Sequence, residues 1–240
     1  MLHRFMTPLL AAALLLGAGS SRAGDEPLQP WAPGIETPGY VWNEMRGEKL
    51  IALEAQGDPL RGEIAFEVCQ GCHDANAGGE PDGSYPRLAG QHATVLIKQL
   101  TDVRAGVRDN QKMYPYAADH VITPQEIADI AVYLQGLPAP STIGLGPGTN
   151  LDRGKALYQH QCEDCHGTRG QGDAAKFYPS VAGQHYAYLL REARLIRDGD
   201  RRNAHPDMVE AVADYSEAEL SAVADYMSRL PGPEAAAPAE

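Results

Sequence analysis

Cysteine is scarce in this chain, with four in 240 residues, and so are Phe and Trp, with three and two. A densely cross-linked scaffold is therefore excluded, and any core must be built mainly from aliphatic residues and the eleven Tyr. Basic residues are also in deficit, 20 against 32 acidic, for a formal charge of −12. Nucleic-acid binders carry a basic face that neutralises phosphates, so this balance argues against such a partner. Past the first two dozen residues nothing approaches the roughly 20 consecutive apolar residues that span a bilayer. No convincing alternating strand is found either, which points to an all-α chain.

What is present begins with an address. Residues 1–23 combine a short start bearing His3 and Arg4, an apolar stretch from Leu9 to Leu16, and the small-residue ending Ser21-Arg22-Ala23. That pattern is a secretory signal peptide cut after Ala23, which predicts a periplasmic protein with no membrane span once it is removed. The mature chain then carries a net charge of −14.

The body of the sequence repeats once. Cys69-Gln70-Gly71-Cys72-His73 recurs as Cys162-Glu163-Asp164-Cys165-His166, an offset of 93. The same offset relates Tyr85-Pro86 to Tyr178-Pro179, Ala89-Gly90-Gln91-His92 to Ala182-Gly183-Gln184-His185, and Tyr133 to Tyr226. Two copies of one helical domain are expected, at 59–138 and 149–231. They are joined by a Pro- and Gly-rich linker at 139–148 and followed by a disordered acidic tail at 232–240. The closing helix of each copy is announced by a capping box, Thr123 with Glu126 and Ser216 with Glu219, and by a Leu-Pro stop.

Four cysteines in an exported chain could form two disulfides, and a lone Cys-x-x-Cys could be a redox dithiol or half a zinc site. Two copies in register, each followed by His, with no Cys to spare, point instead to covalent haem. Cys69, Cys72, Cys162 and Cys165 would bond two haem c groups, and His73 and His166 would ligate the irons. Met113 and Met208, 40 and 42 residues after those histidines, are the candidates for the opposite axial position. A thioether there favours ferrous iron and raises the potential relative to a nitrogen ligand, which suits an electron relay. Core filling is the plainer role for either Met, and His205 and His120 are rival ligands. A ligating imidazole also needs an acceptor for its other nitrogen, and the carbonyls of Pro86 and Pro179 are nominated, against a reading as simple turn prolines. His92 and His185 sit at helix starts, where packing or capping is expected.

These residues together resemble the class I c-type cytochromes, and more narrowly the two-domain dihaem cytochrome c4 family, over about residues 59–231. The resemblance implies a small helical bundle around each covalent haem, with first and last helices crossing where Gly62 meets Tyr133 and Gly154 meets Tyr226. It also implies His and Met axial ligation and single-electron relay, without bond chemistry, between redox proteins. The donor would be a dehydrogenase or quinol-oxidising complex and the acceptor an oxidase or reductase. An alternative makes the chain the electron-accepting subunit of a catalytic oxidoreductase.

Two departures stand out. Gly62 to Cys69 spans seven steps, but Gly154 to Cys162 spans eight, so the helix entries must differ. Residues 24–58 form an extension that the family commonly lacks, read either as a strap on the first domain or as a docking element for a dedicated partner with Trp42 as its anchor. Arg191, Arg194, Arg197, Arg201 and Arg202 are either a solvated helix face or a patch for haem carboxylates or a partner.

Overall fold

A computed structural model describes residues 28–231. The leader expected at 1–23 and the tail at 232–240 lie outside the described residues. Among the described residues regular structure is helical, apart from one isolated antiparallel bridge between Asp173 and Tyr178. No helix there is long and apolar enough to cross a membrane.

The fold is all-α, and its helices form two bundles. In the first, α2 (Pro59–Ala65), α3 (Gln70–His73), α4 (Ala93–Arg104), α5 (Tyr114–Ala117) and α6 (Pro124–Gly136) follow α1 (Gly47–Glu54) of the extension. In the second they are matched by α7 (Leu151–Leu157), α8 (Glu163–His166), α9 (Tyr186–Arg197), α10 (Pro206–Val212) and α11 (Glu217–Ser228). Phe66, Ile97, Ile127, Ile130 and Leu134 pack the first core, and Tyr158, Leu189, Leu220, Val223 and Met227 the second.

The opening and closing helices of each bundle cross at a glycine. A Cβ on Gly62 would strike the Asp129 carbonyl and Tyr133, and one on Gly154 the Ala222 carbonyl and Tyr226. Beside each crossing an aromatic pair fills the gap, Phe66 with Tyr133 at 5.9 Å and Tyr158 with Tyr226 at 5.5 Å between centroids. Each closing helix also holds the incoming chain through a buried carboxylate. Asp129 accepts from the Asp58 amide at 2.7 Å, and Asp225 from the Gly148 amide at 2.6 Å. Both capping boxes form, at Thr123 with Glu126 and at Ser216 with Glu219.

The unequal spacing ahead of the cysteines is absorbed by helix winding. In the first copy the chain tightens to a 3₁₀ turn over Phe66–Cys69; in the second a π turn over Tyr158–Cys162 takes up the extra residue. Both routes deliver the first cysteine to the start of a one-turn helix that ends in His.

The extension crosses both bundles, which corrects the expectation of a strap on the first domain alone. Gln29 hydrogen-bonds the backbone at Val103, Arg108 and Asn110, whereas the Ile35 amide donates to Arg202 and its side chain packs on the second core. Farther on, Lys49 pairs with buried Asp102 at 3.1 Å and Glu48 with Arg104.

Candidate functional site

In each Cys-x-x-Cys-His segment the first cysteine stands at the N-cap of a one-turn helix that holds the second cysteine and the histidine, and the spacing of three puts both sulfurs on one side. None of the four sulfurs is joined in a disulfide. Burial pushes the Cys69 thiol up to about 11 and the Cys162 thiol to about 12, so both are neutral sulfurs in an apolar setting, standing in for thioethers.

His73 and His166 are buried, and burial lowers the pKa of both. The Nδ1 atom of His73 lies 3.0 Å from the Pro86 carbonyl and that of His166 2.9 Å from the Pro179 carbonyl. A carbonyl only accepts, so Nδ1 carries the proton and Nε2 is left with its lone pair. Glycine makes this geometry available. Gly79 and Gly172, another pair at the offset of 93, sit at positive φ against those prolines, and a Cβ on either would strike the proline's backbone. Their amides donate back to the His73 and His166 carbonyls.

Met113 is half-buried at the head of α5, with its amide held by the Asn110 side chain at 3.1 Å. Met208 sits on α10 and packs against the second core. Of the rivals, His120 is exposed beside Asp119. His205 accepts the Asp207 amide on Nδ1 at 3.0 Å, capping α10, and its ring lies against Trp42.

His92 and His185 turn out to do more than pack or cap. His185 is fully buried, accepting the Gly144 amide on Nδ1 and donating from Nε2 to the Gly78 carbonyl of the first domain at 2.8 Å. His92 lies 2.7 Å from the Gln171 carbonyl of the second domain. Gln91 and Gln184 complete a reciprocal clamp. Gln91 bonds both backbone groups of Ser180, and Gln184 both backbone groups of Arg87. Each clamp grips the residue immediately after the proline that faces an attachment-motif histidine. Sequence reasoning missed this interface, although the recurrence of Gln-His at the same place in both copies was a usable signal.

The arginine cluster is spent mostly inside the molecule. Arg191 donates to Gly83, Arg201 to Glu192 and Gln99, and Arg202 to Ala32 and Gly106, while Arg194 and Arg197 pair with Glu217. Arg87, by contrast, is buried with Nε and Nη1 lacking any partner, and burial lowers it to about 10. The Tyr215 hydroxyl is likewise buried and unpaired. A guanidinium held dry without a counter-ion calls for an anion, and a haem carboxylate has that chemistry. Thiol pairs, neutral histidines and an orphaned cation therefore fit a haem.

Comparison with known proteins agrees with this geometry. The family described as Cytochrome c matches residues 60–138 and again 151–231. The chain belongs to the cytochrome c family. It is 35% identical over 176 residues to a thiosulfate dehydrogenase electron acceptor of Stutzerimonas stutzeri, covering 69% of this chain and 80% of that one. It is 29% identical over 186 residues to cytochrome c4 of Pseudomonas aeruginosa, covering 73% and 90%. Among solved structures, reduced recombinant cytochrome c4 from Pseudomonas stutzeri superposes with a TM-score of 0.66 at 26% identity, over 73% of this chain and all of that one. A thiosulfate dehydrogenase from Marichromatium purpuratum reaches 0.63 at 29% identity, over 72% of this chain and 40% of that one. The chain is thus a dihaem class I cytochrome of the cytochrome c4 kind, with two covalent haem c groups, and an electron-transfer protein rather than an enzyme.

Proposed function

We propose that the cytochrome works in the periplasm, exported by residues 1–23, with haem domains at 59–138 and 149–231. His73 and Met113 would hold one iron and His166 and Met208 the other. The haem iron, when bound, supplies the ferric–ferrous couple. The chain keeps each histidine neutral and aimed through Pro86 or Pro179, buries the sulfurs, and offers Arg87 to a carboxylate. The observation that carries this reading is the repeated Nδ1-to-proline hydrogen bond, which leaves Nε2 free in both domains. Closed coordination on both sides suits a carrier, since an open position admits ligands. Electrons would pass from a dehydrogenase or a quinol-oxidising complex to an oxidase or reductase.

A second reading, the electron-accepting subunit of an oxidoreductase, is favoured by the relative named a thiosulfate dehydrogenase electron acceptor. Trp42, nominated as an anchor for such a partner, is engaged within the molecule instead.

Redox titration tests the ligand set. Met113→His and Met208→His should each lower one of the two midpoint potentials, a different one in each variant, because a nitrogen ligand favours ferric iron. A variant that moves neither midpoint removes that methionine from the coordination sphere.

A further inference from the structure

Trp42 lies outside the residues that match the cytochrome c family. It nonetheless reaches the second haem domain. Its ring stands edge-on to His205, 4.3 Å between centroids at 64°, and 6.5 Å from Tyr178. Tyr178 and His205 also meet each other at 5.8 Å and 75°. From the first domain, Lys98 sets its Nζ over the same ring, 5.0 Å from the centroid.

The two residues that Trp42 joins belong to the segment that carries Pro179 and to the one that carries Met208. Tyr178 lies beside Cys165 and immediately precedes Pro179, whose carbonyl orients His166. His205 caps the helix that carries Met208 three residues later. Among the described residues no such ring contact is made at the first domain's Tyr85. Tyr85 lies 6.0 Å from His73, as its place in the repeat implies, and the exposed Lys112 sets its Nζ 4.3 Å from the Tyr85 centroid. A solvated cation lies on the tyrosine in the first domain, and an aromatic ring delivered by the extension lies near its counterpart in the second.

We propose that Trp42 is a positioning residue of the second haem site, holding the Met208 segment against the Tyr178–Pro179 segment and keeping water from that side of the haem. The inference rests on His166 and Met208 as ligands. Ring packing of this kind adds stabilisation beyond buried area and lowers the local polarity around a redox centre. A drier site favours the less charged ferrous iron, so the tryptophan raises the second haem's potential and keeps its methionine bound.

The test uses the holoprotein with both haems. Met208→His first marks which midpoint belongs to the second haem. Trp42→Ala should then lower that midpoint alone, weaken its methionine-to-iron charge-transfer band, and make that ferrous haem bind carbon monoxide faster than in the unaltered protein. Trp42→Phe should restore most of each property. Trp31→Ala, which loosens the same strap where it meets Arg202, should leave both midpoints in place. Equal shifts of both midpoints, or no shift with unchanged carbon monoxide reactivity, would overturn the assignment and leave the ligand reading intact. A Met208→His protein with unmoved midpoints would overturn the ligand reading, and this inference with it.

Discussion

Ligation by His73 or His166 requires a neutral ring whose lone pair is on Nε2, and a proline carbonyl at 3.0 or 2.9 Å enforces that tautomer in each domain. Arg87 is the residue whose state depends most on the haem. Its side chain is buried, one nitrogen donates to the Ala182 carbonyl at 2.7 Å, and two have no protein partner. Next to a haem carboxylate this cation favours the more negative, reduced state. Arg87→Met should therefore lower the midpoint potential of the haem it faces, as read by redox titration. An unchanged midpoint would mean the guanidinium serves only the domain interface.

Among the elements, the closing helices were the most legible in the sequence. Thr123 with Glu126 and Ser216 with Glu219 announced their starts, and both capping boxes are present. The Leu-Pro stop held for α6, which ends at Gly136 directly ahead of Leu137-Pro138, but α11 ends at Ser228, ahead of the Leu230-Pro231 pair. Glu219 also accepts from Arg153, and these bonds hold its carboxyl down at about 2 against an ordinary 4.5. A carboxylate depressed by folding stabilises the fold fully above its unfolded value and progressively less as pH falls through its folded one. Acid unfolding should thus show a loss of stability between about 4.5 and about 2 to which Glu219 contributes. Glu219→Gln, which can still cap, should flatten that part of the profile in denaturant melts at stepped pH. The one-residue difference before the cysteines was visible too, but its resolution into a 3₁₀ turn and a π turn was not, because spacing counts residues and not winding.

At the scale of the whole molecule, the repeat disclosed which residues recur but not which face them. Gln91, His92, Gln184 and His185 were legible as a block and were assigned to helix starts, yet they join the domains. A repeat read in one dimension is silent on how its copies dock. The arginines of α9 and the following loop were ambiguous for the same reason, since their partners at Gly83, Gln99 and Ala32 are about a hundred or more positions away. The path of the extension rests on scattered contacts, such as those of Gln29, Ile35 and Trp42, that no periodicity encodes. The attachment motifs, by contrast, needed only local spacing, and so the haem chemistry was the clearest feature of the sequence. The central claim is a dihaem carrier whose two irons are closed on both sides. Visible spectra of the purified holoprotein, oxidised and reduced, with and without carbon monoxide, test it most directly. The account predicts two covalent low-spin haems, a methionine-to-iron charge-transfer band in the oxidised state, and ferrous spectra unaltered by carbon monoxide. Prompt carbon monoxide binding by either ferrous haem in the unaltered protein would contradict it.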